Sequence, residues 1–70
     1  MKGEHMTNLQ RIRNSRGLSQ SQLAKTSGVS LRMIQYWEQR AKNINMAAAI
    51  TVLKLADALD CEVRDLLEQD

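Results

Sequence analysis

Proline and phenylalanine are absent from this 70-residue chain, and it holds one cysteine, one histidine, one tryptophan and one tyrosine. With so few aromatic residues the core must be aliphatic, built from Leu, Ile, Val, Met and Ala. The lone Cys61 has no partner for an internal disulfide and no companions for a zinc site. His5 is the only imidazole and sits in an unpatterned N-terminus, so neither residue supports catalysis or metal binding. Cys61 also stands beside acids, which raise rather than lower a thiol pKa. No apolar run approaches the ~20 residues of a membrane span, and Met46 to Leu59 is broken by Lys54 and Asp57. The first residues lack the apolar segment of a signal peptide. These absences fit a reducing, cytoplasmic compartment and point away from enzymes, cofactors and membranes.

Helix formers dominate what is present. At this length the chain is one domain, near the size where a single core is only just sufficient. Residues 1–6 show no pattern and are expected to be a disordered or tag-derived extension ahead of a single domain spanning 7–70. The formal charge is only +2, but it is segregated. Between Thr7 and Lys42 lie Arg11, Arg13, Arg16, Lys25, Arg32, Arg40 and Lys42 against one acid, Glu38. From Asn43 onward, Lys54 and Arg64 face six acids. Scattered charge usually marks a solvated surface. A basic half of this kind raises the case for a polyanion partner.

Five helices are expected, the first from Asn8 to Arg16. Thr7 and Gln10 are spaced as a capping box, Leu9 and Ile12 point inward, and Gly17 is the stop. The second helix is read over Gln20–Ser27, started by the box Ser19-Gln20-Ser21-Gln22 and ended by Gly28, where positive φ is wanted. Val29 enters the core, and Ser30 caps a third helix over Leu31–Gln39. Ile34 and Trp37 fall three apart on its inner side. Asn45 is available to cap a fourth helix, Met46–Leu59. Its inward stripe is read as Ile50, Leu53, Ala56 and Leu59, widened by Val52 and Leu55. Val63, Leu66 and Leu67 mark a short fifth helix. Two short helices joined by a glycine turn form the smallest unit that holds a helix outward for the major groove of DNA.

From Gln20 the spacing of Ala24, Gly28, Ile34 and Trp37 resembles the helix-turn-helix of lambda-repressor-like regulators (Cro/repressor, or xenobiotic-response-element type). The run IRNSRGLSQSQLA, the GVS before the third helix, the WE ending it and VLKLADALDCEVRDLLE extend the likeness from about Leu9 to Leu67. It implies an all-α, five-helix lambda-repressor-like domain with helices two and three as the DNA-binding motif. The third helix would then read bases. Leu31, Arg32 and Tyr36 match the family's reading positions, and Gln35 adds an amide suited to adenine. A guanidinium such as Arg32 pairs bidentately with guanine. Each of these has a plain surface-residue reading too, strongest for Leu31.

Gln20 matches the family's phosphate-holding glutamine, with Ser19 and Ser30 beside it at helix N-termini. Arg40, Lys42 and Asn43 occupy the loop that follows the DNA backbone in this family. The resemblance also implies a structural Arg13–Glu38 ion pair between the first and third helices. Arg40 and Asp60 depart from the pattern, standing where relatives carry glycine or asparagine. The third helix is therefore expected to run on or end differently. Glu62 is a weak N-cap, so the fifth helix is expected to be marginal or partner-stabilised.

The function implied is a sequence-specific double-stranded DNA-binding regulator, most simply a repressor, on an inverted-repeat operator as a homodimer. No small-molecule effector is evident. The dimer interface is expected at Cys61, Val63, Leu66 and Leu67, with at least one of Val63 and Leu66 expected to complete the core instead and Leu67 the strongest interface candidate. A DNA-binding antitoxin, or a protein-binding module that sequesters another regulator or a toxin, is the alternative.

Overall fold

Local capping starts the helices of the first half. The computed structural model describes residues 6–69, so only Met6 of the expected extension at 1–6 falls within the described residues. Helix α1 spans Asn8–Ser15, α2 Gln20–Ser27 and α3 Leu31–Glu38. Thr7 Oγ1 accepts from Gln10 N at 3.1 Å. At Ser19 the box is reciprocal: Ser19 Oγ accepts from Gln22 N at 3.0 Å, and Gln22 Oε1 accepts from Ser19 N at 2.8 Å. Ser30 Oγ accepts from Met33 N at 3.3 Å. Each bond satisfies an N–H that the helix itself leaves unpaired.

Gly28 ends α2 in the left-handed region, with φ +76°, and its N–H donates to Ala24 O at 2.9 Å. A Cβ built there meets no atom within 4 Å. The cost of Gly28→Ala is therefore purely that of the backbone conformation, about 1 kcal/mol. Urea denaturation is expected to show that loss with an unchanged m-value, and a variant as stable as the parent would contradict this account of the turn.

The exit of α3 differs from expectation. The helix does not run on: Gln39 is its C-cap and Arg40 takes φ +61°, as Asp60 takes φ +55° after the fourth helix. Non-glycine residues are uncommon there, at a cost of about 1–2 kcal/mol each. The surroundings fix the conformation. Ala41 N and Lys42 N both donate to Tyr36 O, at 2.8 and 3.3 Å, folding the loop back on the last turn of α3.

The second half begins with a 3₁₀ turn, Ile44–Met46, whose entry Asn43 caps by accepting from Asn45 N at 2.9 Å. Ala47 and Ala48 are extended, so α4 spans Ala49–Leu59, three residues later than the pattern suggested. Asn45 does not cap it. Its amide instead exchanges two bonds with the backbone of Glu68, at 2.7 and 2.8 Å. The last helix, α5, is a single turn, Val63–Leu66, and the N–H of Glu62 at its N-cap donates to Asp65 Oδ2 at 3.0 Å.

Leu9, Leu23, Ile34, Leu55, Leu59 and Leu66 are the largest side chains fully withdrawn from water. Each contributes on the order of 1.5–3 kcal/mol, and three of the six come from α4 and α5. The helix-turn-helix therefore cannot stand without the acidic half behind it. The stripe expected on α4 is corrected: Val52, Leu55, Ala56 and Leu59 are buried, whereas Ile50 and Leu53 face solvent. Helix α4 packs on α2 and α5, which sets its rotation.

Candidate nucleic-acid interface

The one acid of the basic half is turned inward. Arg13 on α1 reaches Glu38 at the end of α3 through a two-pronged pair, Nε to Oε2 at 2.7 Å and Nη2 to Oε1 at 2.9 Å. Its third arm, Nη1, donates to Leu18 O at 2.7 Å. Gln20, the first residue of α2, donates its amide to Glu38 Oε1 at 2.9 Å. One carboxylate thus ties α1, α2 and α3 together. Both side chains are buried. The hydrogen bonds to Glu38 hold the Arg13 guanidinium charged above its ordinary value, against the desolvation that opposes it.

With Glu38 withdrawn, the outer face of α3 carries no negative charge. Leu31 and Arg32 are exposed at its start, and Gln35 and Tyr36 are half-buried along the same helix, while Ile34 and Trp37 anchor the opposite side. The Lys42 ammonium lies over the Tyr36 ring, 5.8 Å from its centroid. The loop that carries Lys42 and Asn43 is thereby held beside α3. Ser19 and Ser30 use their hydroxyl oxygens as caps and keep an O–H to donate outward. Gln20 commits one amide hydrogen to Glu38, and its second remains for another acceptor.

Four arginines counted in the basic half have intramolecular bonds, the slightest being Arg11 Nη2 to Asn8 Oδ1 at 3.1 Å on the exposed side of α1. Arg13 is in the brace. Arg16 donates to Leu59 O at 2.7 Å and Asp60 O at 3.2 Å, satisfying carbonyls at the exit of α4. Arg40 Nη1 lies 3.3 Å from Glu68 Oε1. Sequence reasoning missed the role of Arg16 and missed Glu68 altogether. Besides holding Asn45 and Arg40, Glu68 accepts from Asn8 N at 2.7 Å, where a carboxylate at a helix N-terminus is favoured. No periodicity signals such contacts, since the partners lie far apart in the chain.

The four residues expected at a dimer interface are placed unequally. Leu66 has 0 % exposure and serves the core, so it is withdrawn from that list. Cys61 and Val63 are half-buried against the core, and Leu67 is half-buried beyond α5. Burial pushes the Cys61 thiol up, Asp65 adds to this, and Arg16 offsets part of it. His5 lies outside the described residues. Among the described residues no group of three or more potential metal ligands occurs, and no helix is long and apolar enough to cross a membrane.

A glycine-turned helix pair with an exposed, acid-free second helix, braced from behind, defines a helix-turn-helix of the groove-binding kind. The family model described as "Helix-turn-helix" matches residues 9–66, and the chain belongs to that family, in its lambda-repressor-like, XRE-type form. It is a DNA-binding transcriptional regulator. Among solved structures it is similar to the restriction-modification controller protein C.AhdI from Aeromonas hydrophila. The two are 36% identical, the match covers 87% of this chain and 88% of that one, and the TM-score is 0.75. No match is found among curated proteins.

Proposed function

We propose that the protein reads a specific inverted-repeat operator in double-stranded DNA as a homodimer, and that it represses by occupying a promoter. The observation that carries this reading is the acid-free outer face of α3, made so by the burial of Glu38 against Arg13. Arg32 reads guanine and Gln35 adenine, with Leu31 and Tyr36 against thymine methyls or the groove edge. Gln20, Ser19, Ser30, Lys42 and Asn43 hold phosphates, and Arg40 does so only in competition with Glu68. In such a complex the two recognition helices enter successive major grooves about one turn of DNA, roughly 34 Å, apart. A cytoplasmic location follows from the DNA partner.

Likeness to a restriction-modification controller favours a regulator over a toxin-sequestering module. Selection of bound sequences from a random duplex pool tests the proposal directly. A symmetric motif with two half-sites is expected, and recovery of an unenriched pool would refute sequence-specific binding. Lys42→Ala is expected to weaken selected and random duplexes alike and to reduce the slope of log K against log salt by about 1. A loss confined to one base position would instead make Lys42 a base reader.

A further inference from the structure

The chain leaves α5 extended at Leu67 and is then tied down on two sides. On one side Asn8, the first residue of α1, donates its N–H to Glu68 Oε2 at 2.7 Å and its side-chain amide to Leu67 O at 2.8 Å. On the other, Asn45 Nδ2 donates to Glu68 O at 2.7 Å, and Glu68 N donates to Asn45 Oδ1 at 2.8 Å. Arg40 Nη1 donates to Glu68 Oε1 at 3.3 Å. The Glu68 side chain is only 23 % exposed, so the segment is a clasp and not a solvated tail. Its partners Arg40 and Asn45 bracket Lys42 and Asn43 in the loop that flanks α3.

That loop has little apolar packing of its own. Residues 39–43 are exposed, and a cleft of about 230 Å³ opens beside them, lined by Leu9, Trp37, Lys42, Asn43 and Glu68 among others. The loop is anchored at its start by the bonds to Tyr36 O and at its end by the buried Ile44. Between those points polar bonds set its course. Asn45 N donates to Asn43 Oδ1, which leaves Asn43 Nδ2 to donate outward. Asn45 is itself held by Glu68, so a chain of bonds runs from the segment after α5 to a residue of the loop.

We propose that Glu68 is a positioning residue for DNA binding, holding the Lys42–Asn43 loop through Asn45 and Arg40 in the arrangement that meets phosphate. The proposal rests on the reading above that Lys42 and Asn43 contact the DNA backbone. Glu68 acts through these partners and not on the DNA itself. A loop ordered before binding loses less conformational freedom on the duplex, and phosphate contacts carry no base information. The clasp therefore acts on affinity for any duplex and not on base choice. Charge alone gives the opposite sign. Removing an acid near a phosphate-binding loop strengthens DNA binding, whereas loosening the loop weakens it.

Titration of the full chain with a selected and a random-sequence duplex at low salt tests the assignment. Asn45→Ala leaves the net charge unchanged and Glu68→Ala removes an acid. Each is expected to weaken both duplexes alike by at least about threefold, with the base preference of the parent. Circular dichroism melts set a temperature at which every variant is folded, where lost stability alone would leave these affinities unchanged. NMR relaxation of the DNA-free protein gives a second readout, since the backbone amides of Lys42 and Asn43 should become more mobile in both variants. Affinities within about threefold of the parent, or tighter, in either variant would overturn the proposal. So would a loss confined to the selected duplex, or loop amides as rigid as the parent's. Lys42→Ala separates the proposal from the reading beneath it. If that variant binds like the parent, the phosphate contact fails and the proposal falls with it. If it weakens both duplexes and the clasp variants do not, the positioning role alone is refuted.

Discussion

Glu38→Ala is expected to lower stability by about 3–5 kcal/mol, because it leaves the Arg13 guanidinium charged, buried and uncompensated. That loss is comparable to the whole stability of a domain this size without disulfides or metal, about 3–5 kcal/mol. The variant should therefore be largely unfolded at 25 °C, read as lost helical signal in circular dichroism. Arg13→Ala strands the carboxylate instead and should cost a similar amount. Three groups besides the pair are affected. Glu38→Ala takes the acceptor from the Gln20 amide, Arg13→Ala takes the donor from Leu18 O, and either one unties α3 from α1. Arg13→Met combined with Glu38→Leu removes both charges together, and the double variant should recover part of the loss. A Glu38→Ala protein within about 0.5 kcal/mol of the parent would show that the brace contributes nothing beyond a surface pair.

Arg32→Ala is expected to act on recognition and not on folding. Arg32 is exposed at the start of α3, so its loss should change stability by no more than about 0.5 kcal/mol. On the selected operator it should weaken binding by about 1–3 kcal/mol, roughly 5- to 150-fold, and relax one base-pair position in each half-site. Competition between the selected duplex and single-position variants measures both effects. Unchanged preference at every position would remove Arg32 from the reading set. The contrast with Lys42→Ala matters, since a phosphate contact weakens all sequences and a base contact weakens only one.

The intramolecular engagement of Arg13, Arg16 and Arg40 bears on both predictions. A charge count over Thr7–Lys42 overstates the cations available to phosphate. The salt dependence of DNA binding should therefore track Lys42, Arg32 and their exposed neighbours more than the full set of seven.

Much of the fold was legible because its signals are local. A serine three residues before a glutamine, or a glycine after a helical run, acts through bonds within a few residues. The starts of α1, α2 and α3 and the turn at Gly28 accordingly lie where the sequence puts them. The Arg13–Glu38 pair joins residues 25 apart, yet it was readable through the family pattern and through the oddity of one acid among seven bases.

Helix α4 shows where the pattern ran out. Ile50, Val52, Leu53, Leu55, Ala56 and Leu59 place apolar groups around most of the helix, so periodicity alone does not fix which side faces inward. Packing against α2 and α5 chose Val52, Leu55, Ala56 and Leu59, and left Ile50 and Leu53 outside. Likewise Asn45 has the chemistry of a helix cap, but the backbone of Glu68, brought beside it by the fold, claimed its amide.

Sequence alone determined the helix order, the turn at Gly28 and the polar face of α3, because these depend on short-range hydrogen bonds and side-chain spacing. Tertiary structure alone decided which charges face outward, that Arg16 satisfies the carbonyls at the exit of α4, and which side of α4 stays bare. Those outcomes depend on competition between distant groups for the same hydrogen bonds and the same buried space.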